Sequence, residues 1–278
     1  MDFYLAQIYR SLFVSAGLLA LIICTGCGSS NWSPAQQQTP LSVADVAARA
    51  AGGTSTSIPP VLLFVGTGTS SSDVSAVKTI LGDLKLTYAT ATSSQLNAMS
   101  ETAIKSYKLF FVPGGNAITI SKYLTHTAVT NVHNAIVNGG LHYLGICAGA
   151  FFAGDSGVYQ YLSLTPNVWF NFYADEFKGI HKEAVEVKGS NGTKLDQYWE
   201  NGPQLSGWGK VVGKYPNGTP AIVEGKSGYG WIILCGVHPE APSSWRYGMT
   251  FTTSVAVDNA YAKTLVTAAL NGTSLPHF

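Results

Sequence analysis

Three short apolar runs, each stopped by glycine or by a thiol, most constrain how this chain can fold: VLLFVG (61–66), KLFFVPGG (108–115) and LHYLGIC (141–147). A strand with one wet face alternates apolar and polar residues, whereas a continuously apolar run reads as a strand covered on both faces. After the first run, Gly66, Gly68 and Ser70-Ser71-Ser72-Asp73 punctuate the chain, and Val74, Val77, Ile80, Leu81 and Leu84 recur at helical spacing. A second helical stretch at about 119–138 separates the other two runs. Buried strands alternating with helices predict an α/β fold with a doubly wound, mostly parallel, flavodoxin-like sheet. Ligands bind such sheets at the carboxyl ends of the strands. Gly66, Gly114, Gly115 and Cys147 fall on that edge.

Residues from about 156 to 220 break the alternation. YQYLSLTPNVWFNFYADEF, KEAVEV and TKLDQYWENGPQLSGWGKVVGKY are short β-like runs with Asn-Gly turns, which predict an antiparallel elaboration of the same domain. Trp169, Phe170, Phe172, Tyr173, Tyr198 and Trp199 in this segment either wall a pocket or pack the extra strands onto the sheet. The parallel theme is expected to return with PAIVEG and YGWIILCGVHPE, and TSVAVDNAYAKTLVTAAL to close the domain as an amphipathic helix.

The thiol at the end of the third run is the first candidate for chemistry. In LGICAGAFFAG (144–154) a strand ends in Gly-Ile-Cys and turns at once into small residues. That is the form of a nucleophile elbow: small neighbours permit a sharp turn, and the amides of the next helix can activate a thiol and hold an oxyanion. A buried cysteine is often inert, so the elbow needs a base. WIILCGVHPE supplies one, another apolar strand ending at His238 with Glu240 two residues on, where a carboxylate can orient the imidazole. Of the six histidines, only His238 stands at a strand end beside such an acid.

Gly-x-Cys-x-Gly about ninety residues before His-Pro-Glu resembles the class I glutamine amidotransferase superfamily. VPGGNA, LGICAGAFFAG, YWENGPQL, VVGKYPNGTPAIVEG and GYGWIILCGVHPE, in this order over about 60–270, resemble the domain at the N-terminus of fungal biotin-protein ligases. That domain also occurs in stand-alone bacterial proteins. The resemblance implies Cys147 as nucleophile, His238 as base and Glu240 as its orienter. It also implies Gly114 and the amides of Gly115 and Ala148 as oxyanion or substrate-binding positions. The chain departs from the pattern at Phe151, where glutamine amidotransferases usually carry Gln, and it shows no synthetase-like or biotin-ligase catalytic segment. Ammonia-coupled glutaminase activity is therefore not expected. The expected activity is a thiol amidohydrolase or acyl transferase acting on a small-molecule or peptide amide. A ligand-binding or sensing module on the same fold is the alternative, and a redox thiol protein a third.

No cofactor is expected, because GTGTS at 66–70 is Gly-x-Gly after a strand and reads as a turn. No metal is expected either, since no spaced His/Cys/Asp cluster exists. Cys235, inside an apolar strand, reads as a packing residue, though a disulfide to Cys147 would silence the thiol. Sixteen basic against fifteen acidic residues, with no basic block, leave no electrostatic footprint for nucleic acid. No oligomeric state follows from these features.

The N-terminal stretch reads as an address. Arg10 precedes SLFVSAGLLALIIC, the length of a signal h-region, followed by Thr25-Gly26-Cys27. This resembles a bacterial lipoprotein signal, which implies a signal peptide over 1–26 and lipidation of Cys27. An ordinary cleaved signal or an uncleaved anchor helix is the alternative. Residues 27–59, rich in Ser, Gln, Thr, Pro and Gly, read as a flexible tether to a domain spanning 60–278. The absence of aspartate at Gly28-Ser29 points to the outer membrane, facing the periplasm.

Overall fold

Each apolar run forms a strand because its alternate residues serve two cores. In the computed structural model, which describes Leu41–Ser42 and residues 58–278, Leu62, Phe64, Phe110, Val112, Tyr143, Ile232 and Leu234 pack into one cluster. Their neighbours Val61, Leu63, Leu109, Phe111, Leu144, Ile146 and Ile233 pack into another. The expected signal peptide, Cys27 and nearly all of the expected tether lie outside the described residues. Among the described residues, no helix is long and apolar enough to cross a membrane.

In chain order the elements are β1 (Leu41–Ser42), β2 (Val61–Phe64), α1 (Ser71–Asp83), β3 (Tyr88–Ala91), α2 (Ser93–Ala98), α3 (Glu101–Ile104), β4 (Leu109–Val112), α4 (Ala117–Lys122), α5 (His126–Val137), β5 (His142–Ile146) and α6 (Ala148–Ala153). There follow β6 (Asn171–Phe172), β7 (Lys182–Gly189), β8 (Lys194–Glu200), β9 (Pro203–Gln204), β10 (Lys210–Lys214), β11 (Pro220–Ser227), β12 (Gly230–Cys235) and α7 (Val255–Asn271). The main sheet has the order β1-β3-β2-β4-β5-β12-β11-β10-β7-β8. It is parallel from β1 to β12 and antiparallel from β12 to β8. Side chains of α1 and α7 fill one face, and those of α2 to α6 the other. The fold is thus the doubly wound, mostly parallel α/β sheet that the apolar runs predicted, with antiparallel strands added at one side.

Three local expectations change. The single helix at about 119–138 is two, because Thr125 accepts the Ala128 amide and caps α5 as a new start. Between Leu84 and Lys108, where the sequence marked no element, β3, α2 and α3 form; a reciprocal Thr92–Gln95 capping box starts α2. PAIVEG does not resume the parallel theme: β11 is antiparallel to both neighbours. Only Gly228 and Tyr229 separate it from β12, and a two-residue connection can join only antiparallel strands.

Candidate active site

Cys147 sits where β5 becomes α6, with φ 49° and ψ −105°. A side chain rarely adopts this backbone, which costs on the order of 1–3 kcal/mol unless its surroundings enforce it. Here they do. The Cys147 amide donates to the Cys235 carbonyl at 2.8 Å, and its own carbonyl accepts from Ala150 and Phe151. The flanking glycines let the turn close: a Cβ on Gly149 would lie 2.1 Å from the Val112 carbonyl oxygen, and one on Gly145 2.5 Å from that of Gly149. The thiol is 5 % exposed, and its Sγ lies 3.6 Å from the Glu200 carbonyl oxygen at the end of β8.

His238 follows β12 and is 4 % exposed. Its amide donates to the Tyr198 carbonyl at 2.7 Å, and its ring meets Tyr198 and Trp245 edge to face, with centroids 5.8 and 5.6 Å away. The ring Nδ1 is 2.9 Å from Glu240 Oε1 and 3.2 Å from Asp73 Oδ1. Burial alone would lower the proton affinity of His238. The Glu240 charge, the neighbouring Cys147 and Asp73 outweigh it and hold the imidazole well above its ordinary pKa of 6.5. The two carboxylates differ. Burial pushes Glu240 up despite its bond to His238, whereas at Asp73 the desolvation is overcome by His238 and Ser70, and its pKa lies below the usual value.

The structure therefore brings Cys147, His238 and Glu240 together, with Ala148 opening α6 beside the thiol. Gly114 lies behind the acid–base pair: a Cβ there would stand 2.0 Å from Asp73 Oδ1 and 2.8 Å from His238 Cε1. Gly115 is exposed and bridged to Thr69, with φ 144° and no room for a side chain against the Gly68 carbonyl. Asp73 is the residue that sequence reasoning missed. The Ser-rich run before it reads as a helix start, and so it is, since Ser70 caps α1 by accepting the Asp73 amide.

Nδ1 of His238 and one oxygen each from Asp73 and Glu240 lie within 4.8 Å of one another, a cluster that local spacing did not predict. The 2.9 Å separation from Glu240 is that of a hydrogen bond to a ring N–H, and we read the cluster as an ion-paired imidazole. Cys235 is fully buried and free, its thiol donating to the Val237 carbonyl, and Cys147 is free as well. Of the six aromatics expected either to wall a pocket or to pack, only Tyr198 meets the imidazole, edge to face. Phe170, Tyr173 and Trp199 are core, Phe172 packs on Phe151, and Trp169 stacks on Tyr161 with half its surface exposed. A cavity of about 270 Å³ between Glu186, Lys188, Lys214 and Phe278 contains none of the site residues.

Comparison with known proteins supports this architecture. Residues 60–179 match the family described as biotin-protein ligase, N terminal. No curated protein matches the sequence. Among solved structures, a glutamine amidotransferase is similar over 68 % of this chain and 96 % of its own, at 18 % identity and a TM-score of 0.52. A glutamine amido transferase from Methylobacillus flagellatus is similar over 80 % of this chain and 98 % of its own, at 12 % identity and a TM-score of 0.52. At such identities the likeness carries the fold.

Proposed function

We propose, for a chain that has the class I glutamine amidotransferase-like fold and whose residues 60–179 match the biotin-protein ligase N-terminal family, that it is a thiol hydrolase or acyl transferase acting on an amide. The observation that supports this reading is a cysteine held at a positive-φ strand-to-helix corner beside a buried imidazole whose Nδ1 is engaged by Glu240. With Nδ1 bonded to the carboxylate, Nε2 is the nitrogen left to serve the thiol. His238 takes the Cys147 proton as Sγ bonds to the amide carbon. The C–N bond then breaks and the imidazolium proton leaves with the amine. Water attacks the resulting thioester, releasing the acid and restoring the thiol. The amides of Ala148 and Gly115 are the donors proposed for the oxyanion. Phe151, packed against Phe172 at 5.1 Å, offers an apolar contact at the position where Gln is usual, and so argues for an amide other than glutamine.

Incubation with p-nitrophenyl acetate tests this. Intact mass should show one acetyl group on Cys147, none in Cys147→Ala, and formation slowed about 100-fold or more in folded His238→Ala, the scale of general-base catalysis. Equal acylation rates in the wild type and His238→Ala sink the proposal. The Glu200 carbonyl over Sγ and the near-complete burial of the thiol favour a second reading, a binding module whose site opens only to its ligand. That reading takes precedence if no adduct forms. We further propose that the chain is exported and tethered through lipidated Cys27 at the outer membrane, facing the periplasm.

A further inference from the structure

The imidazole of His238 has one Nδ1 proton, and Glu240 takes it at 2.9 Å. A second carboxylate at 3.2 Å is therefore surplus to the usual orienting role, yet the structure places Asp73 there. Its position is not that of a helix-start acid serving its own helix. Asp73 lies in the first turn of α1, where a carboxylate is favoured by the helix dipole and ordinarily faces water. This one is 7 % exposed and aimed inward, and Oδ1 is buried without a hydrogen-bond partner. A buried, unbonded carboxylate oxygen is costly unless a charge compensates it. The compensating charge at hand is the imidazolium. Gly114 keeps the space open, because any Cβ at that position would lie 2.0 Å from Oδ1.

We infer that Asp73 is a second positioning residue of the site, a buried anion that stabilises the imidazolium His238 becomes on taking the Cys147 proton, while Glu240 fixes the ring through Nδ1. The inference rests on the proposed role of His238 as the base for Cys147. In that chemistry, the anion stabilises the imidazolium that exists between thiol deprotonation and departure of the amine, and Asp73 acts through His238 without touching substrate. The titratable groups that face the imidazole are Asp73 from α1, Glu240 from its own loop, Cys147 from the β5–α6 corner, Cys235 from β12 and Tyr198 from β8.

The test follows the His238 ring directly, by NMR of the full chain labelled with ¹⁵N-histidine, in the wild type and Asp73→Asn. The His238→Ala spectrum identifies the signal. Removing an opposite charge at this distance should lower the His238 pKa by about one to three units. In parallel, acylation of Cys147 by p-nitrophenyl acetate should slow roughly tenfold at pH 7. His238 titrating alike in both proteins, with equal acylation, overturns the inference. If the wild type is not acylated at all, the proposed chemistry fails, but the titration still decides whether Asp73 sets the charge of the ring. Gly114→Ala gives a second variant should Asp73→Asn not fold. Its methyl group, 2.0 Å from Oδ1 and 2.8 Å from His238 Cε1, would wedge the carboxylate and the ring apart, and the His238 titration should move in the same direction. An unmoved titration there also overturns the inference.

Discussion

Gly149→Ala puts the smallest possible strain on the turn that presents Cys147. The added Cβ would lie 2.1 Å from the Val112 carbonyl oxygen, where real contacts do not fall below about 3.0 Å, so close to 1 Å must be found. Neither side yields easily. Val112 is the last residue of β4 and is paired with Gly145 of β5, while α6 is fixed by Phe152, which is 1 % exposed, and by the Tyr143 hydroxyl bonded to the Gly149 carbonyl at 2.7 Å. Overpacking of this kind costs about 1–3 kcal/mol, and for a domain of this size that lowers Tm by about 2–12 °C. The same displacement carries Cys147 away from His238, and a misplacement near 1 Å can reduce a positioned reaction about 100-fold. Thermal unfolding read by circular dichroism and p-nitrophenyl acetate acylation report the two effects separately. Gly157→Ala is the control, because a Cβ there meets nothing within 4 Å. A Gly149→Ala protein with wild-type Tm and acylation rate would show that the corner is not held by the approach of α6 to β4, and the structural account of the elbow would be wrong.

Gly82→Ala should stabilise the chain by about 0.4–1 kcal/mol in urea titration. The residue is exposed within α1, with nothing near its missing Cβ, and alanine restricts the unfolded chain; a loss of stability refutes this. Burial, then the hydrogen bond and charge of Asp175, push Glu183 from its ordinary 4.5 up to about 7. The folded chain thus holds a proton that the unfolded chain has released between those values. This contribution to stability is complete below pH 4.5 and is lost as pH rises through 7. Glu183→Gln should flatten Tm against pH across that interval, and parallel profiles for the two proteins exclude the assignment. Cys27→Ala should abolish incorporation of radiolabelled palmitate and free the protein from membranes. A wild type that is unlabelled and runs at full precursor length makes the N-terminal stretch an anchor helix.

What the sequence disclosed follows the range of the forces involved. The buried strands were legible because covering both faces leaves no polar position, so VLLF, LFFV and YLGI each declare their class within a few residues. Cys147, His238 and Glu240 were legible for a related reason, since each stands where an apolar run stops, on the edge where this kind of sheet places its ligands. β3 was not legible: Tyr88–Ala91 alternates half-buried and buried residues over only four positions, too few for a period to emerge. Nor was Asp73. Its local signal is that of a capped helix start, which is correct, and nothing nearby in sequence records that the side chain continues inward to a histidine 165 residues later. The trace it leaves is at Gly114, where a missing side chain marks the space the pair requires.

The antiparallel addition raises a topological question, because β8 is the last strand of the sheet, four places from β12, and yet touches what β12 presents. An untwisted ten-stranded sheet would carry β8 far from His238. Instead β7 is joined to β10 only through Lys188 and Gly189, and the far end of the β7–β8 hairpin reaches back to the carboxyl ends of the central strands. There the Tyr198 carbonyl takes the His238 amide, and the Glu200 carbonyl meets the Cys147 thiol. The consequence is energetic as well as spatial. Excluding water strengthens the pull of Glu240 and Asp73 on the imidazole, and it exacts the desolvation that raises Glu240 while Asp73 remains the stronger acid. An imidazole at an open strand end would feel both carboxylates through water and would titrate near its ordinary value. The segment that interrupts the βα alternation therefore adjoins the candidate site, since Tyr198 and the Glu200 carbonyl help to close it from water.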